Sequence, residues 1–420
     1  MQAALSRRTI RIVVAILLLG FDLGIAYAKD KLTVWTYDQN TLVVNALKPE
    51  FEKKYPNVEI EVVKMGPWDL MDKLLVSLAS GSGLPDVSVV IRRAFTKYAA
   101  SEKLVDLTDL AKLYEKDFDS TIWGEGTYQN RVYGIPDGSY IGFVWYRDDL
   151  LRQHGIDPAK IVTWDDFLRV GQQLKKDGIQ TGMIWTSFWA AGGFWLMHLQ
   201  SMGGNIFTPD GKVIRNNEIA RKAFRAYDDL VHKYGIALMG PVNTPAQWIA
   251  LREGKLSASQ QITGSIPMLK AQNPELAGKM RVMPFPLWAK DAPPLTGTSG
   301  GNVWVIPKGT KNQDLAWKFI QFLNTTVEGQ RLLWQYGNLV PAFRPALESP
   351  VVNQPDPYFG GQNVYKVAIA PRRVSRIYYY DLLEAQKIIG DDLDAMIQGQ
   401  KSPEQAWDDA EKRLIKELGR

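Results

Sequence analysis

KLTVWT at residues 31–36, VEIEV at 58–62 and DVSVVI at 86–91 are the three runs that decide the fold. Each is rich in β-branched residues, and at 58–62 apolar and acidic side chains alternate, as in a half-buried strand. Helical spacing of apolar residues predicts a helix over 41–55 and another over 70–78 that ends at Gly81. Pro49 should kink the first helix or start a second segment. Strands that alternate with helices predict an α/β fold with parallel strands and helices on both faces.

The same alternation continues along the rest of the chain. TWDD at 163–166 is a capping box, which predicts the start of a helix. Further strands are predicted at 182–186, 255–262, 281–285 and 302–306, and further helices around 220–231, around 315–322 and after Ser402. Two such sheets fit into 420 residues, a length typical of roughly two or three domains.

Composition excludes several classes of protein. Cysteine is absent, so disulfides, thiolate metal sites, a cysteine nucleophile and a lipid-anchored cysteine are all excluded. The net charge is +5, but basic and acidic residues are interspersed and form no nucleic-acid-binding stripe. His154, His198 and His232 are not spaced for metal ligation. We therefore expect no metal, no cofactor and no nucleic-acid partner.

Residues 1–28 have the pattern of a secretory signal peptide. Three arginines precede an apolar run at 12–19, and Ala-Tyr-Ala at 26–28 supplies a cleavage site near Ala28. The apolar run is too short to span a bilayer. Because no lipid anchor is available, the predicted destination is a Gram-negative periplasm. SRR at 6–8 leaves twin-arginine export open beside the general route.

Two enzymatic functions are alternatives that the residues allow to be judged. GTSGG at 297–301 matches the G-x-S-x-G nucleophile motif, but a proline-rich loop precedes it, a predicted strand follows it, and every histidine lies upstream. A hydrolase is therefore disfavoured. A secreted glycosidase needs two carboxylates that flank one bond, and nothing singles out such a pair among 45 acidic residues. It stays an alternative from another class.

Aromatic residues are abundant and many lie near predicted strand ends. The chain has 14 Trp, 17 Tyr and 15 Phe. Those near strand ends or loop starts are Trp35, Tyr37, Tyr140, Trp185, Trp189, Tyr378, Tyr379 and Tyr380. Open α/β sheets bind ligands at strand ends, and aromatic rings bury the apolar faces of sugar rings while polar neighbours bond the hydroxyls. The pattern favours a carbohydrate ligand.

An ordered set of motifs resembles one known family. The set comprises LTVW at 32–35, FEKKYPNVEIEV at 51–62, LASGSGLPDV at 78–87, LVDLTDL at 104–110, YGIP at 133–136, YRDDLL at 146–151, TWDDF at 163–167, GGNIF at 203–207, GGNVWVIPKGTKN at 300–312 and AWKFIQFLN at 316–324. It is similar to the extracellular solute-binding proteins of ABC importers, in the carbohydrate-binding branch that includes maltose-binding protein. The resemblance implies a two-lobed, non-enzymatic and monomeric receptor. It would bind a sugar or related polyol in its cleft, close by a hinge motion and deliver the ligand to membrane permease subunits.

The resemblance also implies lobe bounds and ligand contacts. Lobe one would comprise residues 29–139 plus 302–325, and lobe two 142–298 plus 326–420, joined by crossover strands. The implied ligand-binding residues are Trp35, Tyr37, Asp38, Arg92, Arg93, Tyr140, Trp185, Trp189, Thr263, Gly264, Ser299, Gly300, Gly301, Tyr378 and Tyr379. In the crossover, glycine would let backbone N–H groups approach the ligand without a Cβ in the way.

Arginines support an alternative ligand within the same class. Arg92, Arg93, Arg372, Arg373 and Arg376 could converge on the cleft. Guanidinium groups suit carboxylates and phosphates. An anionic solute, such as an acidic sugar or a glycerol phosphate ester, is therefore the alternative to a neutral sugar.

Overall fold

The computed structural model describes residues 29–185, 188–240, 244–378 and 380–419, with only the backbone for residues 185 and 188–193. The predicted signal segment at residues 1–28 lies outside the described part of the chain. The strands are β1 (Asp30–Thr36), β2 (Val58–Lys64), β3 (Val87–Ile91), β4 (Thr127–Tyr128), β5 (Arg131–Val132), β6 (Gly134–Pro136), β7 (Gly138–Ser139), β8 (Gly142–Arg147), β9 (Met183–Trp185), β10 (Leu238–Gly240), β11 (Ala258–Ile262), β12 (Met280–Pro284), β13 (Leu295–Thr296), β14 (Asn302–Val305), β15 (Val340–Pro341) and β16 (Arg373–Val374). The α-helices are α1 (Asp38–Lys54), α2 (Pro67–Ser80), α3 (Phe95–Ala99), α4 (Thr108–Ala111), α5 (Ser120–Gly124), α6 (Asp148–Gln153), α7 (Trp164–Lys175), α8 (Phe188–Ser201), α9 (Glu218–Asp228), α10 (Pro245–Arg252), α11 (Ile266–Gln272), α12 (Gln313–Asn324), α13 (Val327–Leu332), α14 (Arg344–Leu347), α15 (Leu382–Ile397) and α16 (Pro403–Leu418). Within these ranges, no helix is both long enough and apolar enough to cross a bilayer.

The first sheet has the strand order β2-β1-β3-β14-β6. β1 runs parallel to β2 and β3, as the alternating pattern predicts. β14 runs antiparallel to β3 and β6, so the prediction of an all-parallel sheet is wrong here. β14 enters this sheet from the second crossover, at residues 297–301, and therefore runs the opposite way. α1 continues through Pro49 without a break in its helical assignment.

The second sheet is smaller and has no parallel pair. β8 lies at its centre, and both β11 and β12 run antiparallel to it. β9 and β10 form a separate parallel pair nearby. The predicted positions of β9, β11 and β12 are confirmed, whereas β8 and β10 were not predicted as strands. The predicted parallel direction is wrong for β11 and β12, which both run antiparallel to β8. Direction depends on which strands become neighbours, which the local pattern of side chains does not determine.

Local sequence explains where several helices begin and end. Thr163 accepts a hydrogen bond from the backbone of Asp166, whose carboxylate accepts one from the backbone of Thr163, so the predicted capping box is present. Gly81 ends α2 with φ +69°, a left-handed conformation that glycine adopts without steric cost. Both features were predicted from sequence, because caps depend on residues a few positions apart.

Two large hydrophobic cores support the two-lobed α/β fold. The first forms around β1 to β3 and β14, and the second around β8, α8, α9, α15 and α16. Leu332, Leu333 and Phe343 pack in the first core, although the sequence placed residues 326–420 in lobe two. We propose that lobe one also includes the stretch of chain that contains these three residues. The lobe bounds themselves remain predictions.

Two crossover segments join the lobes and hydrogen-bond to each other. The backbone N–H of Tyr140 donates to the Gly300 carbonyl at 2.8 Å, and that of Ser299 donates to the Tyr140 carbonyl at 3.1 Å. The N–H of Gly142 donates to the Gly297 carbonyl at 2.9 Å. The paired crossovers bring residues distant in the chain to one place between the sheets.

Candidate functional site

A cavity of about 2240 Å³ lies between the two lobes. Lobe one lines it with α2, the 3₁₀ turn Arg92–Ala94 and α3 to α5. Residues 376–384 and 417–419, in the C-terminal part of the chain, line the opposite side. Four of its aromatic residues are Trp68, Tyr128, Tyr378 and Tyr380. The cavity is larger than the roughly 300–1,000 Å³ typical of small-molecule sites, so it can admit a ligand of several rings.

Charges of both signs line this cavity in nearly equal number. The seven cations are Arg92, Arg93, Lys97, Lys112, Lys116, Arg344 and Arg376, and the eight acids are Asp72, Asp109, Glu115, Asp119, Glu125, Asp381, Glu384 and Glu417. Such a mixture creates no strong field for ligands of one sign. Arg372 lies away from the cavity lining and donates to the Phe285 carbonyl at 2.8 Å, and Arg373 is exposed in β16. The five arginines therefore do not converge.

Arg92 lines the cavity, but its guanidinium is held by the protein. The residue is only 1% exposed. Its Nη1 lies 2.5 Å from a carboxylate oxygen of Glu125 and donates to Ser139 Oγ at 3.0 Å, and its Nη2 donates to the Gly138 carbonyl. A buried arginine needs such compensation. Arg92 therefore positions lobe-one backbone and Glu125 at the cavity edge.

Arg93 connects the two sides of the cleft. The residue is half-buried, and its Nη1 donates to Gln386 Oε1 at 2.7 Å. Gln386 lies on α15, which packs in the second core. This hydrogen bond can form only when the lobes are close together.

Tyr37 is half-buried and belongs to a polar cluster with Asn302 and Asp137, next to Arg92 but outside the residues that line the cavity. Its hydroxyl donates to Asn302 Oδ1, while Asn302 donates through its backbone N–H and its Nδ2 to Asp137 at 2.9 and 2.8 Å. Burial raises the pKa of Tyr37 well above its usual range, so the phenol stays protonated. Burial also raises the pKa of Asp137, although the Arg92 charge and the Asn302 hydrogen bonds oppose this shift.

Trp35 and Asp38 flank Tyr37 but occupy different environments. Trp35 is 4% exposed and packs in the first core, with Lys73 Nζ 4.7 Å from its ring centre. Asp38 is exposed at the start of α1 and has φ +41°, an unfavourable conformation for a non-glycine residue. Neither is among the residues that line the large cavity.

Tyr140 and Ser299, which the resemblance places on the two crossovers, come together, and Thr263, which it places after a strand, lies beside them. None of the three is among the residues that line the large cavity. Ser299 pairs with the Tyr140 backbone, and the Thr263 N–H donates to the neighbouring carbonyl of Ile141 at 3.1 Å. A Cβ on Gly264 would lie 2.8 Å from the Tyr140 ring, and a Cβ on Gly301 would lie 2.2 Å from the Gly138 carbonyl oxygen. Gly300 has φ +95°. Glycine at 264 and 301 is therefore required by close packing at the crossover.

The late aromatic segment also reaches the cavity. Tyr378 is half-buried in the lining, and the guanidinium carbon of Arg376 lies 5.3 Å from its ring centre. Tyr379 lies outside the described residues. So do the side chains of Trp185 and Trp189, whose backbones belong to β9 and α8.

Several cavity residues were missed by sequence reasoning. Trp68 follows the end of β2, the same kind of position that singled out Trp35, so the strand-end rule could have found it. Glu125 lines the cavity, whereas Gln386 faces Arg93 from α15 without being among the lining residues, and no sequence motif marks either of them. Only their tertiary partners, Arg92 and Arg93, reveal them.

Comparison with known proteins agrees with this architecture. Residues 38–330 match the family described as bacterial extracellular solute-binding protein. The chain is 26% identical over 398 residues to the arabinooligosaccharide-binding protein of Bacillus subtilis, covering 90% of each chain, and 27% identical over 361 residues to the lactose-binding protein of Rhizobium radiobacter, covering 80% of each. The sugar-binding protein MalE from Xanthomonas citri shares the fold, with a TM-score of 0.79, 19% identity and coverage of 92% of this chain and 97% of that one. The chain belongs to the bacterial extracellular solute-binding protein family.

Proposed function

We propose that this protein captures a sugar, of the size of a disaccharide or short oligosaccharide, and delivers it to the permease of an ABC importer. The observation that carries the proposal is the cavity of about 2240 Å³ between the lobes, lined by aromatic side chains and by nearly balanced charge. Relatives named for arabino-oligosaccharides and for lactose support the same ligand class.

The lining favours a neutral sugar over an anionic solute. Tyr378 and Trp68 offer aromatic surface for the apolar faces of sugar rings, and mixed polar side chains can bond the hydroxyls. The guanidinium most buried in the cavity, that of Arg92, is already engaged by Glu125, Ser139 and Gly138. An added carboxylate or phosphate would have to compete with Glu125 for it.

The paired crossovers support hinge closure as the way the ligand is held. The lobes are joined through hydrogen-bonded segments at Tyr140 and Gly300, and Arg93 reaches across to Gln386. A sugar that contacts both sides would favour the closed form, which the permease would recognise. The protein would act as a monomer in the periplasm after cleavage near Ala28, without chemical change to its ligand.

Calorimetric titration of the mature protein with arabinotriose, lactose, galacturonate and glycerol 3-phosphate tests this function. We expect saturable binding of a neutral sugar, and chromatography of the recovered ligand should show it unchanged. Binding restricted to galacturonate or glycerol phosphate would favour the anionic alternative. Cleavage of the bound oligosaccharide would identify a glycosidase instead.

A further inference from the structure

Asn205, in the GGNIF motif at residues 203–207, hydrogen-bonds the segment that carries Tyr378 into the interlobe cavity. Its Nδ2 donates to the Arg376 carbonyl at 2.8 Å, and its Oδ1 accepts from the Tyr378 N–H at 3.1 Å. A carbonyl oxygen can only accept and a backbone N–H can only donate, so these two partners determine how the amide is oriented. One side chain therefore bonds the backbone on both sides of Ile377.

Sheet pairing ends just before this segment of the cavity wall. β16 pairs with β13, and the Ser375 N–H donates to the Thr296 carbonyl at 3.1 Å. No strand continues through the described residues 376–378. Backbone groups that leave a sheet need other partners. The Asn205 amide supplies two of them, one to a carbonyl and one to an N–H, as a neighbouring strand would.

Asn205 is itself tied to the body of lobe two. Its backbone carbonyl accepts a hydrogen bond from Asn217 Nδ2 at 2.6 Å. Asn217 is 6% exposed, and its Oδ1 accepts from the Ala220 N–H, which caps the start of α9. α9 packs in the second core through Ala220 and Phe224. Asn205 therefore connects the cavity wall to the N-terminus of a well-packed helix.

The turn that follows Asn205 contacts the cavity wall a second time. The Tyr380 hydroxyl donates to the Pro209 carbonyl at 2.9 Å. Gly211 has φ +83°, and a Cβ there would lie 3.1 Å from the Tyr380 ring, so glycine leaves room for that ring. The lining is therefore held at Tyr378 and again at Tyr380 by one short stretch of lobe two.

From these contacts we infer that Asn205 is a positioning residue of the sugar site, which fixes the backbone that presents the Tyr378 ring to the cleft. The inference rests on the proposed function, which assigns this ring to the apolar face of a sugar. Asn205 is not among the residues that line the cavity, so it acts through Tyr378 rather than on the sugar. A ring whose backbone is already fixed loses less conformational freedom when the ligand binds, and therefore binds it more tightly.

Hydrogen exchange in the ligand-free mature chain tests this role without any sugar. Asn205→Ala removes both amide contacts, and the Tyr378 N–H should exchange faster than in the wild type by about tenfold. Asn205→Asp keeps the size of the side chain but places an oxygen, which cannot donate, against the Arg376 carbonyl. It should also speed exchange of the 376–378 segment. Circular dichroism and urea unfolding establish that each variant folds.

Asn353→Ala is the matched control. Asn353 is also half-buried, and its Nδ2 donates to two backbone carbonyls, those of Leu347 and Ser349, at 2.8 and 3.0 Å. None of these three residues lines the cavity. The substitution should therefore lower stability in urea to a similar extent while leaving the exchange of the Tyr378 N–H unchanged.

Calorimetric titration with a neutral sugar that binds the wild type separates positioning from a general loss of stability. Asn205→Ala should weaken binding about fivefold, because the Tyr378 ring is no longer fixed, whereas Asn353→Ala should match the wild type. In a Tyr378→Ala background, Asn205→Ala should weaken binding further by less than about twofold, since the ring that it positions is already gone.

The inference is overturned if Asn205→Ala leaves the exchange of the Tyr378 N–H unchanged, or if its effect on affinity persists in full without the Tyr378 ring. It is also overturned if Asn353→Ala weakens sugar binding as much as Asn205→Ala does. A wild type that binds no neutral sugar would contradict the proposed function instead, and the exchange measurement would still decide whether Asn205 holds the cavity wall.

Discussion

Asn302 donates two hydrogen bonds to Asp137, one from its backbone N–H to Oδ1 at 2.9 Å and one from its Nδ2 to Oδ2 at 2.8 Å, although the two residues are 165 positions apart. Asp137 is fully buried between β6 and β7. Tyr37 donates to the side-chain oxygen of Asn302. This cluster therefore ties the start of α1 and the end of the second crossover to the sheet of lobe one, beside the cleft.

Asp137→Asn should lower the free energy of unfolding by about 3 kcal/mol. Both carboxylate oxygens of Asp137 accept hydrogen bonds from Asn302, and the substitution would replace one of these oxygens with an NH₂ group, which cannot accept. One N–H of Asn302 would then be buried without an acceptor, which is costly. Urea unfolding measures the change. Asp291→Asn, on an exposed loop, is the control and should stay within about 0.5 kcal/mol of the wild type. A loss below about 1 kcal/mol at Asp137 would show that the cluster is not important for stability.

Gly301→Ala should destabilise the protein by about 1–3 kcal/mol and weaken sugar binding. Its Cβ would lie 2.2 Å from the Gly138 carbonyl oxygen and 2.4 Å from Arg92 Nη2, so both must move. Unfolding in urea and calorimetric titration measure the two effects. Gly124→Ala is the stability control, because a Cβ there meets nothing within 4 Å. Equal stability of the two variants would contradict the tight packing at the crossover.

Tyr378→Ala should weaken binding of a neutral sugar by at least ~1 kcal/mol, about fivefold, because the ring offers aromatic surface within the cleft. The measurement is calorimetric titration with the sugar that binds the wild type. Tyr336→Ala removes a tyrosine that is 39% exposed outside the cavity lining, and its affinity should match the wild type. Equal affinity of both variants would place the sugar away from Tyr378.

His198 should make the protein less stable in acid. Its usual pKa of 6.5 falls to about 4 on folding, so between these values the unfolded chain binds a proton that the folded chain does not. Its contribution is complete above about pH 6.5 and is lost as the pH falls toward 4, by about 3 kcal/mol in total. His198→Phe should lack this loss in urea unfolding measured from pH 7.5 to 4. Parallel pH curves for the two proteins would contradict the prediction.

Local sequence patterns predicted much of the fold and part of the site. Strand periodicity placed β1 to β3, and the capping residues placed the start of α7 and the end of α2. The resemblance places Tyr140 and Ser299 on two different crossovers, and the structure pairs their backbones. Their contact with a ligand stays a prediction. Direction in the second sheet could not be predicted, since neighbouring strands come from distant parts of the chain.

By itself, the sequence determined the element types, the caps, the absence of cysteine chemistry and the family, because these depend on composition, short-range periodicity or ordered motifs. Only the tertiary structure decided what the buried polar groups do. In the sequence, Arg92 and Arg373 are equal candidates to line the cleft. In the structure, Arg92 is 1% exposed and paired with Glu125, whereas Arg373 is exposed. From sequence, the expectation for His198 and His154 is the same, that neither binds a metal, and only the packing of Trp164 and Trp288 gives His198 a buried Nε2 without a hydrogen-bond partner. The physical reason is that burial and long-range partners determine the charge state and hydrogen bonding of a polar group, and both arise only when distant segments pack.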